Sequence, residues 1–312
     1  MENNKNDSFV VCGNILFSIE GNKSSQYLHS KYNLGTLSGK TLTVKNYELL
    51  FLYFRGKVKP VNSFFNNALN LMSELMEESD LHKFKVYLEL KNEGAKITID
   101  KNSFLISKKN ENLNIKRVIF PIRENSKLSV EWLLNARGHN IASVDDDGDI
   151  TYYRIDSVDL MGANSNQLLN TDFIRGLGKR AIGNLDTKPE WMGDKIYDMR
   201  ILSESETDYI NGVENPDMVS RIYRKLIFQG LIVKTGFKYG CNFRAYTGSM
   251  DDHSDFLIHV LSDSVEWYEI SRAVRVAASV RKDMIFAGFV NDKSFFINIK
   301  RIKSVLEMNL RD

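Results

Sequence analysis

Three side chains with unlike acid–base chemistry follow one another toward the carboxyl end of the chain: the phenol of Tyr246, the imidazole of His253 and the ammonium of Lys282. Each belongs to a different predicted element. Tyr246 closes the stretch 238–246, His253 enters a short apolar strand, and Lys282 ends a stretch whose apolar residues follow helical spacing. A fold that brings these elements together would gather the three groups in one site.

Such a set can cleave an RNA phosphodiester without a metal. The reaction needs a base that takes a proton from the 2′-hydroxyl, an acid that protonates the departing 5′-oxygen, and a cation that stabilises the phosphorane. Tyrosine, histidine and lysine can supply all three functions. A free phenol has a pKa near 10 and is only about 0.1% ionised at neutral pH. Neighbouring cations, for which Lys282 and Arg244 are candidates, would have to favour the phenolate.

The chain repeats its own pattern. Tyr87–Gly94 and Tyr223–Gly230 share a YxxLxxxG frame, and each runs on into a β-rich stretch. Ser129–Trp132 recurs as Ser264–Trp267 with nearly the same offset, and a strand–turn–strand pattern closes each half. The sequence therefore predicts a mixed α/β unit that occurs twice, each copy with a helix, a glycine stop and a strand.

A further small segment precedes each copy. In the first half, Thr41–Val44 is typical of a strand, and Tyr47–Gly56 is typical of a helix ended by glycine. The predicted division of the chain is 1–75 for the first small subdomain, 76–165 for the first larger one, 166–213 for the second small subdomain and 214–312 for the second larger one.

Three motifs in the second half occur in a fixed order. YGxxFRxY ends at Tyr246, HSxFL begins at His253, and ISRxxRxAxSVRK ends at Lys282. In this order and spacing they resemble the tRNA-intron splicing endonucleases, specifically the archaeal form in which one chain carries two repeats and pairs as a homodimer. The resemblance implies an α/β (α+β) fold with two tandem repeats. Each repeat would have a small α/β N-terminal subdomain and a mixed-sheet, restriction-endonuclease-like subdomain.

The resemblance also implies roles. Tyr246 would be the general base, His253 the general acid and Lys282 the stabiliser of charge. Products would carry a 2′,3′-cyclic phosphate and a 5′-hydroxyl. The substrate would be precursor tRNA folded as a bulge–helix–bulge, recognised mainly by shape, and no cofactor or metal is expected.

Arginines are the predicted RNA-binding residues. The resemblance places Arg275 and Arg301 around an unpaired bulge base, because guanidinium planes stack and carry charge together. Lys300 is the alternative to Arg301, and Arg244 lies in the tyrosine motif. A helix is predicted over Glu269–Arg281, and seven-residue spacing would put Arg275 and Lys282 on nearly the same side of it.

The first copy is predicted to be inactive. By the repeat offset, the position that matches Tyr246 falls near Asn110, and the position that matches Lys282 falls near Arg137. The first copy also carries an acidic run, Asp145, Asp146, Asp147 and Asp149. This run is either a solvated hairpin turn or, as the resemblance suggests, an acidic loop that docks into a basic pocket on the partner subunit.

Composition limits the protein class. The 312 residues are 43% apolar and 26% charged with a formal net charge of +2, so any nucleic-acid surface must be a local basic patch. Cys12 and Cys241 match no zinc spacing. No apolar stretch has the length of a membrane span, and a cytoplasmic, archaeal protein is expected. His259 is interpreted as a packing residue with a hydrogen-bonded ring.

Two other functions stay open. A metal-dependent nuclease on a related core would need clustered carboxylates, and Asp251, Asp252, Asp255 and Asp283 are available. A non-catalytic RNA-binding or structural subunit could keep the fold without the chemistry. Cleavage that continues in excess chelator would exclude the metal-dependent alternative. A Lys282→Ala protein that still binds RNA but no longer cuts it would exclude the non-catalytic alternative.

Overall fold

The computed structural model describes residues 7–12, 16–20, 22–60, 68–108, 117–164, 173–184, 189–251 and 253–306. The chain divides into two compact units. Unit 1 comprises Met1–Glu124, Asn140–Tyr152 and Lys303–Asp312, and unit 2 comprises Asn125–His139 and Tyr153–Ile302. The predicted division into four subdomains remains a prediction.

Unit 1 begins with a five-stranded sheet and three helices. Their bounds are β1 Asp7–Cys12, β2 Leu16–Glu20, α1 Asn22–Tyr32, β3 Thr36–Ser38, β4 Thr41–Lys45, α2 Asn46–Phe54, β5 Val58–Pro60 and α3 Ala68–Leu75. The strand order is β3-β4-β2-β1-β5, antiparallel except between β1 and β5. The predicted strand and helix are confirmed by β4 and α2. The Glu48 carboxylate accepts the Lys45 N–H at 2.8 Å at the start of α2, and Gly56 follows its end with φ 62°.

The remainder of unit 1 is a mixed sheet covered by one helix. Its elements are α4 Leu81–Asn92, β6 Lys96–Ile99, β7 Phe104–Ser107, β8 Arg117–Arg123 and β10 His139–Val144. The order is β6-β7-β8-β10, with antiparallel pairs except the parallel pair β8–β10. Helix α4 packs on β6 and β8. Strand β11, Ile150–Ser157, follows β10 after a tight turn and continues into unit 2.

Unit 2 contains a small sheet and a larger one. The first elements are β9 Lys127–Ser129, α5 Val130–Asn135, β12 Phe173–Leu177, β13 Arg180–Asn184, β14 Asp194–Ile196, β15 Met199–Ile201 and α6 Glu204–Ile210. They are followed by α7 Met218–Phe228, β16 Ile232–Thr235, β17 Phe243–Tyr246, β18 Phe256–Val260, β19 Ser264–Glu266, α8 Trp267–Ser279, β20 Asp283–Val290 and β21 Lys293–Ile302. The orders are β12-β13-β15-β14 and β16-β17-β18-β20-β21, and β19 pairs with β9. Only β18 and β20 pair in parallel in the larger sheet.

The same sequence of elements and the same strand pairing occur twice. A helix, two antiparallel strand pairs and a parallel pair follow in the order α4-β6-β7-β8-β10 and again in the order α7-β16-β17-β18-β20. Gly94 and Gly230 follow the two helices with φ values of 87° and 79°. Glycine adopts this left-handed conformation without steric cost. The predicted helix, glycine stop and strand are confirmed in both halves, which is the pattern that a tandem duplication produces.

Helices α7 and α8 pack against the larger sheet of unit 2. The Asp217 carboxylate caps α7 by accepting the Ser220 N–H at 2.7 Å, and Ile222 and Leu226 of α7 pack in one cluster with Ala245 of β17. Helix α8 packs on β20 and β21 and buries its Trp267 completely. Within the described part of the chain, no helix has the length and apolarity that a membrane crossing needs.

Candidate active site

Tyr246 is the last residue of β17, and only 6% of its surface is exposed. Ala245 packs in the core beneath α7, so the alternation of a strand places Tyr246 and Arg244 on the opposite face. The guanidinium carbon of Arg244 lies 6.0 Å from the centroid of the Tyr246 ring. Arg244 Nε is buried without a hydrogen-bond partner among the described residues. The phenol ring is therefore held by packing, beside a cation.

His253 lies in the loop between β17 and β18 and is exposed to solvent. His259 on β18 differs in its surroundings. Its ring packs against Phe286 with centroids 5.9 Å apart, and burial lowers the pKa of His259. The prediction of a hydrogen-bonded ring was wrong for His259 Nδ1, which is buried without a partner in the described structure. Of the two histidines, His253 is the one that a substrate can reach.

The predicted end of the helix at Arg281 was wrong. Helix α8 ends at Ser279, two residues before the predicted end. Arg281 adopts a left-handed backbone with φ 55°. Arg275 and Lys282 therefore do not share one helix face, and Lys282 stands in the short connection before β20.

A Schellman motif explains the early end of α8. The N–H groups of Arg281 and Lys282 donate to the carbonyls of Ala278 and Ala277 at 3.1 and 3.0 Å. These are the two hydrogen bonds that define the motif. Helical apolar spacing continues through Val280, and no glycine stands at the left-handed position, so neither pattern indicates the end of the helix. The motif fixes the backbone from which the Lys282 side chain starts.

The Lys282 ammonium is held against the loop that carries His253. Its Nζ donates to the carbonyl oxygen of Ser254, the residue that follows His253. An ammonium has three N–H donors, so two remain for another acceptor. This hydrogen bond fixes the position of the Lys282 ammonium relative to the loop that carries His253.

The strand register places the predicted catalytic residues at one edge of the sheet. The pairs Ala245↔Phe256 and Phe256↔Asp283, each continued by one residue, bring Tyr246, Asp255 and Lys282 into one row across β17, β18 and β20. His253 lies two residues before Asp255 in the chain. Adjacent strands lie about 4.8 Å apart, so the side chains of Tyr246, Asp255 and Lys282 extend from neighbouring backbone positions.

The predicted RNA-binding residues are distributed around this edge. The pairing Ile285↔Asn298, continued along the ladder, brings Arg301 opposite Lys282, and Arg301 is exposed. Lys300 points to the other face and pairs with Asp283 at 3.1 Å. Arg275 is exposed on α8. Of the two candidates on β21, Lys300 is engaged by a carboxylate, whereas Arg301 stands where the continued ladder faces Lys282.

Three residues, Asp255, Ala163 and Asn164, bond the segment after Tyr246 in ways that had no counterpart in the predictions. Asp255 was considered only as a metal ligand, but its carboxylate accepts hydrogen bonds from Thr247. Ala163 and Asn164 bond the loop that follows Tyr246. Asp255 is acidic and lies two positions after His253, which is only a weak indication in the sequence of this contact with Thr247. Nothing local in the sequence connects residues 163 and 164 with a loop more than eighty positions away.

The acidic run forms the tight turn between β10 and β11. The Asp149 N–H donates to the Asp145 carboxylate at 2.8 Å, and the Gly148 N–H donates to the Asp145 carbonyl at 3.0 Å. Asp146, Asp147 and Asp149 are exposed. The hairpin turn is confirmed, and docking into a partner stays a prediction.

The strand register revises one residue of the copy that is predicted to be inactive. Phe104↔Ile119 in β7–β8 corresponds to Phe243↔Ile258 in β17–β18, so Ser107 occupies the place of Tyr246. The predicted match, Asn110, lies outside the described residues. A 3₁₀ turn, Phe237–Tyr239, lies between β16 and β17 and shifts the offset. Arg137 does correspond to Lys282, because Asn140↔Ile119 matches Ile285↔Ile258.

The carboxylates of the metal-dependent alternative have other partners. Asp251 accepts from Ser249, Asp255 from Thr247, and Asp283 pairs with Lys300. Asp252 lies outside the described residues. In the described ranges, no three His, Cys, Asp or Glu side chains are grouped so that they could hold a metal ion.

Known proteins are similar to this chain both in the region of these residues and over its full length. Residues 218–297, which contain Tyr246, His253 and Lys282, match the family model of the tRNA intron endonuclease catalytic C-terminal domain. A tRNA-splicing endonuclease of Thermoplasma volcanium is 35% identical over 299 residues, which cover 95% of this chain and 98% of that protein. Its counterpart in Picrophilus torridus is 30% identical with the same coverage, and that of Methanococcoides burtonii is 25% identical over 89% of this chain and 94% of that protein. Full-length similarity at this level shows that the chain belongs to the tRNA-splicing endonuclease family of RNA-cleaving enzymes.

Proposed function

We propose that this protein excises introns from precursor tRNA by metal-independent cleavage at bulge–helix–bulge structures, leaving 2′,3′-cyclic phosphate and 5′-hydroxyl ends. The observation that carries the proposal is the single row that Tyr246, Asp255 and Lys282 form across three strands, with His253 two residues from Asp255. A phenol, an imidazole and an ammonium at one sheet edge supply a base, an acid and a charge stabiliser.

In the proposed reaction, Tyr246 takes the proton of the 2′-hydroxyl, and the 2′-oxygen attacks the adjacent phosphorus. His253 gives a proton to the 5′-oxygen as the P–O bond breaks. The two N–H donors of Lys282 that Ser254 leaves free bind the nonbridging oxygens of the phosphorane. The guanidinium of Arg244 lies beside the Tyr246 ring, with its carbon 6.0 Å from the ring centroid.

Arg275 and Arg301 are proposed to bind an unpaired bulge base between their guanidinium planes. Arg301 has the better support of the two residues on β21. It lies opposite Lys282 in the register, whereas Lys300 already pairs with Asp283. The base held by these arginines would lie next to the phosphodiester at Lys282.

The test of this function is cleavage of a bulged model RNA by purified protein in excess EDTA, followed by identification of the new ends. Cleavage with a cyclic phosphate on the 5′ fragment is expected. Activity that disappears in EDTA and returns with magnesium would support the metal-dependent alternative. Binding of the RNA without cleavage under every condition would support a non-catalytic subunit.

We further propose that two copies of the chain form a homodimer through the acidic turn Asp145–Asp149. Unit 2 has a cavity of about 510 Å³ that offers a receptor for it. Arg221, Arg224 and Lys225 line this cavity from α7. The Arg221 guanidinium stacks on Phe289 at 4.0 Å and pairs with Asp292 at 3.1 Å, so Arg224 and Lys225 are the cations that the proposal uses. Opposite charge on the two surfaces would steer them together and fix their register.

Reversal of Asp147 and Asp149 to lysine is expected to shift the protein toward monomers, because two carboxylates would be replaced by cations that α7 repels. Sedimentation or light scattering measures the mass. The compensating variant with Arg224 and Lys225 changed to glutamate should restore the dimer, and Asp159→Lys, at an exposed aspartate outside the turn, serves as the charge control. An unchanged mass after the reversal would rule out this interface.

A further inference from the structure

The loop that follows Tyr246 is held from two sides by residues outside the catalytic three. It runs from Thr247 to Ser254 and carries His253 near its end. One side is bonded by Asp255, the residue directly before β18. The other side is bonded by the segment Gly162–Asn164, which we call the strap and which also belongs to unit 2.

Asp255 closes the base of the loop. Its backbone N–H donates to the carbonyl of Ala245 at 2.9 Å. Its carboxylate oxygen Oδ2 accepts the Thr247 N–H at 2.7 Å and the Thr247 hydroxyl at 2.8 Å. Hydrogen bonds to a carboxylate are roughly twice as strong as bonds between neutral groups. Asp255 directly precedes β18. It therefore connects Ala245 and Thr247, the two neighbours of Tyr246, to that strand.

The strap binds the same loop from the other side. The Ala163 N–H donates to the Thr247 carbonyl at 2.7 Å. The side-chain amide of Asn164 donates to the Gly248 carbonyl and to the Gly230 carbonyl, both at 3.2 Å. The side-chain amide nitrogen of Asn164 has two hydrogens, so it can bond both the loop Thr247–Ser254 and the turn after α7.

The strap itself has little room to move. A Cβ atom on Gly162 would lie 2.0 Å from the carbonyl oxygen of Gly230, and a Cβ atom on Gly230 would lie 2.6 Å from the carbonyl oxygen of Gly162. The Gly162 N–H donates to the Gln229 carbonyl at 2.8 Å, and the Asn164 N–H donates to the Gly230 carbonyl at 3.1 Å. The strap is thus anchored on the end of α7, and its bonds to Thr247 and Gly248 transmit that fixed position to the loop.

We infer that Asn164 and Asp255 are positioning residues for cleavage: they hold the loop Thr247–Ser254 so that Tyr246 and His253 meet one phosphodiester. The inference rests on the roles proposed above for these two residues. General acid–base catalysis depends on hydrogen-bond reach to the proton, and a displacement of about 1 Å can lower a rate by about 100-fold. Neither Asn164 nor Asp255 needs to touch RNA for this effect.

The test compares Asn164→Ala and Asp255→Ala with the unchanged protein. Single-turnover cleavage of a bulged RNA gives the rate constant, and binding of the same RNA with a 2′-deoxy nucleotide at the cleavage site gives the affinity. We expect the rate constant to fall roughly 10- to 100-fold, with the affinity changed less than about twofold. A melting temperature close to that of the unchanged protein confirms that the variants are folded.

Conservative variants distinguish positioning from general loss of structure. Asp255→Asn keeps an oxygen that accepts the Thr247 N–H, so it should recover part of the rate. Asn164→Asp should be slower than Asn164→Ala, because its carboxylate would face two carbonyl oxygens. Thr247→Val removes one of the two bonds to Asp255 at nearly constant volume and gives a milder variant if Asp255→Ala does not fold.

Cleavage within about twofold of normal by folded Asn164→Ala and Asp255→Ala proteins would overturn the inference. A loss that appears only in RNA affinity would also overturn it, since it would make these residues part of the binding surface. Asp263→Ala, at an exposed aspartate beyond the opposite end of β18, is the matched control and should keep its rate. Tyr246→Phe in the same assay tests the proposed base separately.

Discussion

Replacement of Lys282 by alanine is expected to lower the single-turnover rate constant of RNA cleavage by roughly 100- to 1,000-fold, the range found when one oxyanion-stabilising donor is removed. The ammonium is fixed at the carbonyl of Ser254 and lies in the same row as Tyr246. Its loss removes charge that acts mainly on the phosphorane. Affinity for a 2′-deoxy substrate analogue should therefore change little.

Arg281→Ala is the matched control for this variant. It removes a neighbouring exposed cation while the left-handed residue of the helix end stays non-glycine. We expect its cleavage rate to stay within a few-fold of normal. If Arg281→Ala and Lys282→Ala lost activity equally, local positive charge rather than a placed ammonium would be responsible.

Tyr246→Phe is expected to slow cleavage by roughly 100- to 10,000-fold, because general base catalysis contributes about that much. The change deletes one oxygen from a ring that is 94% buried, the complement of its 6% exposure, so packing is preserved. The decrease should appear in the rate constant of the chemical step, measured under single-turnover conditions.

Tyr239→Phe makes the same chemical change at a half-buried ring in the 3₁₀ turn between β16 and β17. That turn joins β16 to β17 at one end of the strand pair, and Tyr246 pairs with Ile232 at the other end. Its rate should remain near normal. Near-normal cleavage by Tyr246→Phe would require another base, and the role given to the phenol would be withdrawn.

Local features of the fold were predictable because local interactions determine them. Gly94 and Gly230 end helices in both halves as the sequence indicates, since a left-handed residue is needed there and glycine supplies it. The order of the proposed catalytic side chains along the chain was also readable from three motifs. Apolar patterning predicted the stretch that ends at Tyr246 and the strand after His253, but it did not predict the connection before β20 in which Lys282 lies.

Other features depended on contacts that sequence patterning does not encode. Arg281 takes the left-handed position at the end of α8 without a glycine, so the helix was predicted to end two residues too late. The 3₁₀ turn before β17 shifted the match of Tyr246 from Asn110 to Ser107. Asn164 meets Gly248 only through the tertiary fold. Each error arose where a turn or a long-range hydrogen bond, rather than periodicity, sets the structure.

The most direct test of the shared site is a substrate in which sulfur replaces the departing 5′-oxygen. A thiol has a pKa of about 8.5, so a thiolate leaves without the proton that an alkoxide requires. His253→Ala should cleave the normal RNA very slowly and the sulfur-containing RNA at nearly the rate of the unchanged protein. Tyr246→Phe should remain slow on both substrates. If His253→Ala were equally slow on both, His253 would not protonate the leaving group, and the proposed convergence of three side chains on one phosphodiester would be contradicted.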